Sequence, residues 1–376
     1  MRNQTATSNK IPLRRRLLYI GFIYVVFLLL ILSIEIFTRL TLTRVESLDM
    51  FVNTPQQKMQ VANPQQSTIF EGDPLLLWRL KPNLDHAYWD YTVVSTNAQS
   101  FRADYAIGAK PAGTFRIVCL GDSVTFGYRV PPVWPERPKD YNPEWQPFPM
   151  LLEKELRKAN PSRSIEVFPM AVPGYTSHQG SAWLRRDISQ LQPDMVIASF
   201  GWNDASLSDA PDREAIDTRW SPVAMRWLID HSQAFAHATH WLRSRNAAKP
   251  VTRTPVPRVS QVEYIENFNA IVRLSKDHGA AVIVIGAPYR DSTTNPGEAQ
   301  LMTQYRAWLK SEMQKSQTPY LEILELTEAA GSVNQGFFGE LIHPNHMGHR
   351  LMTSELLKLI SERRLLGQLT VPVFVP

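Results

Sequence analysis

The sequence predicts an α/β fold with a parallel, doubly wound sheet of five strands, and two observations support it. From Phe115 onwards, short apolar runs alternate with stretches long enough to form helices. The runs are apolar throughout, as in strands that are buried on both faces. Strand–helix alternation is typical of a parallel sheet. The chain before Phe115 has a different character, with one long uncharged run and a Gln/Asn/Pro-rich stretch.

The elements follow one another in a regular order. The predicted strands lie at 117–120, 165–168, 195–200, 281–285 and 320–324. The predicted helices lie at 151–159, 177–191, 260–278, 299–315 and 344–364. Residues 205–258 form an excursion, predicted to be helical from about Val223 to Arg243. Its Trp227 and Trp241 are expected to fill a core, which is the commonest place for tryptophan on an amphipathic helix.

A membrane anchor is predicted at 17–40. Leu17 to Ile34 contains no charged residue, which approaches the ~20 residues that cross a bilayer. A cleaved signal peptide would have a shorter apolar region and a small-residue cleavage site, and bulky residues here continue to Leu42. Three arginines at 14–16 precede the run, so the positive-inside rule predicts a cytoplasmic N-terminus and an extracytoplasmic C-terminal domain.

The remaining boundaries follow from composition. We assign a basic cytoplasmic arm to 1–16, a linker to 41–68, a small β-rich lead-in to 69–114, the α/β domain to 115–366 and a tail to 367–376. The chain has 40 basic and 35 acidic residues, and the arm holds five of the bases and no acid. The rest is therefore balanced in charge, which argues against a nucleic-acid partner. Its one cysteine, Cys119, excludes an intrachain disulfide.

Four polar stretches follow predicted strands or lie near the end of the domain, where catalytic loops gather in such folds. They contain Ser123 in Gly-Asp-Ser, Gly174, Asn203 in Gly-Trp-Asn-Asp, and His343 three residues after Glu340. Acyl transfer needs a nucleophile, a base, a group that orients the base, and donors for the oxyanion. A serine, a histidine, a carboxylate, a glycine N–H and an asparagine amide can supply these parts.

In these four blocks the chain resembles the SGNH (GDSL-type) hydrolases over residues 115–360. The resemblance implies a flavodoxin-like three-layer sandwich with Ser123 as nucleophile and His343 as general base. It also implies an oxyanion hole formed by the N–H groups of Ser123 and Gly174 and the side chain of Asn203. The family usually has aspartate where this chain has Glu340. Glu340 is the predicted acid of the triad, while another carboxylate or a backbone carbonyl is the alternative partner of His343.

Neighbouring polar residues receive structural interpretations. Asp122 is interpreted as a turn residue and Asp204 as a cap of local backbone. His346 and His349 lie at helical spacing from His343 but have no carboxylate cluster beside them, so no metal and no cofactor is predicted. Trp202 is the best candidate for an aromatic contact with substrate.

The sequence thus favours a membrane-anchored serine esterase that removes small acyl groups, with O-acetyl groups on an extracytoplasmic glycan as the expected substrate. The substrate class follows from predicted localisation and from the resemblance. One alternative is a glycan O-acyltransferase that uses the same serine. Another is a carbohydrate-binding protein without catalytic activity on the same fold.

Overall fold

A five-stranded parallel sheet forms the centre of the protein. In the computed structural model, the described residues are 12–45, 69–134, 136–208, 210–215, 222–247, 254–288, 296–323, 336–339 and 342–375. The sheet consists of β5 (Thr114–Gly121), β6 (Ser164–Ala171), β7 (Met195–Ser199), β10 (Ala281–Gly286) and β11 (Tyr320–Glu322), in the order β11-β10-β7-β5-β6. All four pairings are parallel. The predicted fold class is confirmed, and each predicted strand is found within a few residues of its expected bounds.

Helices cover both faces of this sheet. One face carries α4 (Ser177–Leu191), α9 (Gln261–Asp277) and α10 (Pro296–Lys315), and the other carries α3 (Phe148–Ala159) and α11 (His346–Glu362). Short helical segments lie at Ser123–Phe126 (α2), Pro138–Asp140 (a 3₁₀ turn), Trp202–Ala205 (α5) and Asp212–Ala215 (α6). The result is the expected sandwich of three layers.

The central strand shows why the sequence forms this sheet. In β5 the side chains of Ile117 and Cys119 lie in the core under α3 and α11, whereas Val118 and Leu120 lie in the core on the opposite face. Successive side chains of a strand point to opposite faces, so the stretch from Ile117 to Leu120, which has helices on both sides, is apolar at every position. That is the pattern that predicted it.

The lead-in before the sheet is β-rich, as predicted. It contains two antiparallel hairpins, β1 (Phe70–Asp73) with β2 (Leu77–Leu80) and β3 (Ala87–Trp89) with β4 (Thr92–Val94). Several of its side chains, among them the fully buried Trp78, belong to the core on the α4 face. The lead-in is therefore packed onto the α/β domain.

One helix, α1 (Leu13–Thr41), is long and apolar enough to cross a membrane. Its apolar residues are exposed, and at ~1.5 Å per residue its uncharged part, Leu17 to Ile34, measures about 27 Å. The helix begins one turn before the predicted anchor and includes the three arginines at 14–16. Residues 1–11 of the predicted arm and 46–68 of the predicted linker lie outside the described residues.

The excursion differs from its prediction in two respects. The part predicted as one helix forms two, α7 (Pro222–His231) and α8 (Gln233–Ala247), separated at Ser232, whose hydroxyl accepts a hydrogen bond from the Phe235 N–H. The stem is a two-stranded pairing of β8 (Leu207–Ser208) with β9 (Val256–Pro257). The expectation that Trp227 and Trp241 fill a core was wrong. Their exposed fractions are 59% and 54%, because the small core of the excursion is formed by other apolar side chains.

Candidate active site

The predicted site residues follow the carboxyl ends of three adjacent strands. Ser123 comes two residues after β5, Gly174 three residues after β6, and Asn203 four residues after β7. The chain leaves β5 to one side for β6 and continues on the other side with β7. Ligands of open α/β sheets bind where the strand order reverses in this way. Topology alone therefore places the three residues around one crevice.

Ser123 lies at a sharp turn that needs glycine. A Cβ on Gly121 would come 2.1 Å from the Thr125 hydroxyl and 3.0 Å from the Ser199 carbonyl oxygen. After this close contact, Asp122 caps α2, its carboxylate accepting the Val124 N–H at 2.9 Å. Ser123 is then the first helical residue, a position whose N–H has no partner within the helix. Only 8% of Ser123 is exposed.

His343 meets this serine from a distant part of the chain. Its Nε2 lies 2.7 Å from the Ser123 Oγ, across 220 residues of sequence. The Asn345 side chain caps α11 two residues later, and the Gly339 N–H donates to the His343 carbonyl at 3.0 Å. The Tyr128 ring lies against the imidazole, with 4.2 Å between the ring centres. A histidine nitrogen at this distance can take the hydroxyl proton during nucleophilic attack.

The predicted acid behind His343 is not placed. Glu340 and Leu341 lie outside the described residues, so the partner of the second imidazole nitrogen stays a prediction. Another carboxylate or a backbone carbonyl remains the alternative partner of that nitrogen.

The turn at Gly174 is held by two side chains that the sequence did not single out. Gly174 has a φ of +83°, which favours glycine. The Trp78 indole N–H donates to the Pro173 carbonyl at 3.1 Å, and the Arg258 guanidinium donates to the Gly174 carbonyl at 2.8 Å. Because the C=O and N–H of a trans peptide point in opposite directions, the bond to Pro173 turns the Gly174 N–H away from the lead-in.

Arg258 is itself fixed by a buried ion pair. Its guanidinium lies 2.9 Å from the carboxylate of Asp212, and both side chains are only 2% exposed. The Thr176 hydroxyl donates to the same carboxylate at 2.9 Å. Removing one member of such a pair leaves an uncompensated buried charge, so each member depends strongly on the other. The ion pair joins the two ends of the excursion beneath the Gly174 turn.

Asn203 links the other two blocks. Its amide donates to the Tyr175 carbonyl at 3.0 Å and contacts the Asp122 carboxylate at 3.4 Å. The first contact is a normal hydrogen bond, whereas the second is at the limit of one. The Asn203 amide is thus held firmly by the Tyr175 carbonyl and only weakly by the Asp122 carboxylate, and it lies between the serine turn and the glycine turn.

Two buried carboxyl groups flank these residues. Burial raises the pKa of Asp122 to about 6, and the Val124 N–H and the nearby His343 oppose that rise. Burial raises the pKa of Asp204 to about 8, although its carboxyl accepts the N–H of Ser177 at 2.9 Å and that residue's hydroxyl. The hydrogen bonds agree with the structural interpretations from the sequence. Asp122 lies in the serine turn, and Asp204 accepts the backbone N–H of Ser177.

The remaining candidates lie beside this constellation. His349 is buried and its Nδ1 accepts the Phe148 N–H at 3.1 Å, while His346 stacks on Trp145 at 3.9 Å. Within the described part of the chain, no group of three potential metal ligands occurs. Trp202 is half-buried and packs partly on the core, so its predicted contact with substrate stays a prediction.

Sequence reasoning missed Trp78, Arg258, Asp212 and Tyr128. None belongs to the four blocks, and each acts on a residue far away along the chain. A buried ion pair between residues 46 positions apart has no periodicity or spacing that a single sequence could reveal.

The chain was also compared with known proteins. The model of the GDSL-like lipase/acylhydrolase family matches residues 119–351. Similar solved structures include the lipase/acylhydrolase from Enterococcus faecalis, with 17% identity over 66% of this chain and 96% of that one and a TM-score of 0.41. An acetylxylan esterase from Geobacillus stearothermophilus has 16% identity over 68% and 95%, with a TM-score of 0.41. A GDSL-like lipase from Bacteroides thetaiotaomicron has 14% identity over 66% and 88%, with a TM-score of 0.40.

Among curated proteins, none matches the chain. The family match covers well over half of the sequence and includes Ser123, Gly174, Asn203 and His343. These four residues lie at the carboxyl edge of the sheet and in the loop before α11, with the serine and the histidine in contact. The chain belongs to the GDSL-like lipase/acylhydrolase family and is an ester hydrolase of the SGNH type.

Proposed function

We propose that the protein is a membrane-anchored serine esterase that removes small acyl groups, such as acetyl, from hydroxyl groups of an extracytoplasmic glycan. The observation that carries the catalytic part is the 2.7 Å contact between His343 Nε2 and Ser123 Oγ. A serine hydroxyl is a weak nucleophile until an adjacent base takes its proton, and this pair has the geometry for that transfer.

In the proposed reaction, Ser123 Oγ attacks the ester carbonyl carbon while its proton passes to His343 Nε2. The negative charge on the former carbonyl oxygen is stabilised by the N–H groups of Ser123 and Gly174 and the amide of Asn203. The tetrahedral intermediate collapses, and His343 protonates the departing sugar hydroxyl. Water, deprotonated by His343, then hydrolyses the acyl-serine and releases the carboxylic acid.

An aromatic cluster beside His343 supports a glycan as the substrate. Tyr128, in contact with the imidazole, binds the Asp90 carboxylate through its hydroxyl. Arg129 lies over the rings of Tyr128 and Tyr91, and Tyr91 packs on Trp134 at 4.7 Å. Aromatic faces with polar groups at their edges suit the apolar and hydroxyl-bearing faces of a sugar ring.

The catalytic proposal is tested by turnover of p-nitrophenyl acetate. The full-length protein, purified in detergent, is compared with Ser123→Ala and with the control Ser189→Ala, which changes a serine outside the site. We expect Ser123→Ala to lower kcat/KM roughly 10³-fold or more and the control to match the wild type. Equal turnover in all three proteins would refute Ser123 as the nucleophile.

The glycan proposal has a separate test. Trp134→Ala should lower the rate of acetate release from an O-acetylated polysaccharide while leaving p-nitrophenyl acetate hydrolysis unchanged. Equal loss on both substrates would contradict a sugar-binding function of the cluster. Mass spectrometry of the same reaction with an acceptor glycan present would detect an acylated acceptor, the product expected of a transferase and not of a hydrolase.

The proposed topology places residues 17–40 of α1 in the membrane, with residues 1–16 in the cytoplasm and the catalytic domain outside. The three arginines at the start of α1 support it through the positive-inside rule. Protease added to spheroplasts should digest the C-terminal domain, and protection of that domain in intact spheroplasts would contradict the topology.

Glu340 as the acid of the triad is also a proposal. Glu340→Gln keeps the size of the side chain and removes its charge, so we expect a loss in kcat/KM of roughly 10²-fold or more. A loss of less than about threefold would assign the orientation of His343 to another group.

A further inference from the structure

The helical excursion of the catalytic domain is attached to the end of the apolar helix α1. The Glu35 carboxylate of α1 accepts hydrogen bonds from the Ser232 hydroxyl at 2.8 Å, the Gln233 N–H at 2.9 Å and the Ala234 N–H at 3.0 Å. These groups form the N-terminus of α8. A carboxylate is favourable there because it satisfies unpaired N–H groups and complements the helix dipole. The anchor thus caps a helix that lies about 200 residues further along the chain.

Further contacts fasten the same two helices to the chain that leaves α1. The Arg39 guanidinium donates to the His231 carbonyl at 3.0 Å, and the Val45 N–H donates to the Gln233 side chain at 3.1 Å. Val45 also packs against the small apolar core of the excursion, which consists of Met225, Ile229 and Ala236. Residues 222–247, hereafter the helical hairpin, therefore contact α1 and the residues after it at several points between 35 and 45.

The depth of these contacts follows from the length of the uncharged run. Leu17 to Ile34 spans about 27 Å as a helix, close to the ~30 Å of the hydrocarbon core. Arg16 and Glu35 bracket that run, and charged groups are costly within hydrocarbon. With α1 in the membrane, Glu35 lies at the level of the lipid headgroups. The helical hairpin, which binds Glu35 directly, then lies at the same level.

The surface of the helical hairpin suits that environment. Trp227, Trp241 and Leu242 are 59%, 54% and 56% exposed. Tryptophan is enriched at membrane–water interfaces, where its ring is partly in lipid and its N–H meets water. By sequence the helical hairpin carries three arginines and one aspartate, and basic charge beside exposed Trp and Leu is typical of helices that lie in the headgroup region.

We propose that the helical hairpin is a membrane-interface platform that binds the lipid bilayer beside α1, with Trp227 and Trp241 at headgroup depth. This rests on the proposed membrane anchoring by α1. By sequence the platform lies between Asp212 and Arg258, which form a buried ion pair, and Arg258 binds the Gly174 carbonyl. Contact with lipid at the hairpin therefore sets the distance of the catalytic crevice from the membrane.

The test measures the depth of single nitroxide labels on the full chain in lipid nanodiscs, from their accessibility to oxygen relative to a water-soluble nickel complex. Labels are attached to Trp227→Cys and Trp241→Cys. The matched control is Ser361→Cys, at an exposed position. It lies on α11, which covers the face of the sheet opposite to α4 and α9. Leu29→Cys reports on the anchor itself. Cys119 is fully buried and does not compete for the label.

We expect the oxygen-to-nickel ratio to be highest at position 29, intermediate at 227 and 241, and lowest at 361. Ratios at both hairpin positions equal to that at 361, with a high ratio at 29, would overturn the platform while leaving the anchor intact. A low ratio at 29 would overturn both. Spin–spin broadening between hairpin labels of two chains would identify a second copy as the partner and contradict a lipid surface.

Discussion

The two sides of the candidate site are held in place by different means. On the proposed oxyanion side, the Gly174 turn is fixed by Trp78 from the lead-in and by Arg258 from the end of the excursion, both fully or almost fully buried. On the base side, His343 contacts Ser123 and the Tyr128 ring, and its loop is joined to residues 336–339 by backbone bonds. In the proposed mechanism, the motif residues supply the reacting groups and distant residues position the oxyanion donors.

This comparison explains why a lead-in accompanies the catalytic domain. The buried Arg102 guanidinium donates to the carbonyls of Gly127 and Val130, in the loop that follows Ser123. Burial among these carbonyls lowers the pKa of Arg102 to about 10. Trp78 reaches the Gly174 turn from the same lead-in. Two of the three loops around the crevice thus depend on residues that precede the family match.

The largest expected effect concerns the base side. His343→Ala should lower kcat/KM for p-nitrophenyl acetate roughly 10³-fold, because the serine then has no base within reach. The measurement is steady-state hydrolysis, with His346→Ala, which changes the stacked neighbour, as the control. An equal loss of activity in both variants would contradict the proposal that His343 is the general base.

A smaller effect is expected on the oxyanion side. Asn203→Ala removes one of three proposed donors and should lower kcat about 10²-fold while changing KM little, because the donor acts mainly in the transition state. Loss of its bond to the Tyr175 carbonyl should also cost about 1 kcal/mol in the free energy of unfolding. A variant that raised KM with unchanged kcat would place Asn203 in substrate binding instead.

A matched pair of variants compares the two sides directly. Trp78→Phe and Tyr128→Phe each keep an aromatic ring and remove one hydrogen bond. Trp78→Phe should reduce kcat roughly tenfold, since the Pro173 carbonyl loses its donor and the Gly174 peptide can rotate. Tyr128→Phe keeps the ring against His343 and should reduce kcat less than about threefold. The reverse order would contradict the view that buried contacts position the oxyanion side.

The last prediction concerns the pH dependence of stability. Burial raises the pKa of Asp204 to about 8 from an ordinary value near 4, so between these pH values the folded state holds a proton that the unfolded state releases. The free energy of unfolding therefore falls as pH rises through this window. Urea unfolding at pH 5 and pH 8 should show that fall in the wild type and a smaller one in Asp204→Asn. Equal falls would show that Asp204 is not the group responsible.

Much of this arrangement could be predicted from the sequence, for identifiable reasons. The stretch from Ile117 to Leu120 in β5 is apolar at every position because helices cover both faces, and a Cβ on Gly121 would collide with Thr125. Such features depend on neighbouring residues only, so they can be recognised in the sequence. Ser123, Gly174 and Asn203 could be found because each follows a strand end, and His343 because it lies three residues after an acidic residue near the end of the domain.

Other features leave no local pattern. The ion pair of Arg258 with Asp212 and the bond from Trp78 to Pro173 depend on how distant segments pack. The exposure of Trp227 and Trp241 also could not be predicted, because an aromatic residue on a helix has the same spacing whether its side chain is buried or exposed. Glu340, outside the described residues, stays a prediction.

The most direct test of the central claim is covalent labelling of the nucleophile. The full-length protein is treated with a fluorophosphonate, which reacts with activated serines, and the modified site is mapped by peptide mass spectrometry. We expect one labelled peptide, with the phosphonyl group on Ser123, and labelling that is abolished in Ser123→Ala and strongly slowed in His343→Ala. Absence of label on Ser123, or equal labelling of the His343→Ala variant, would contradict it.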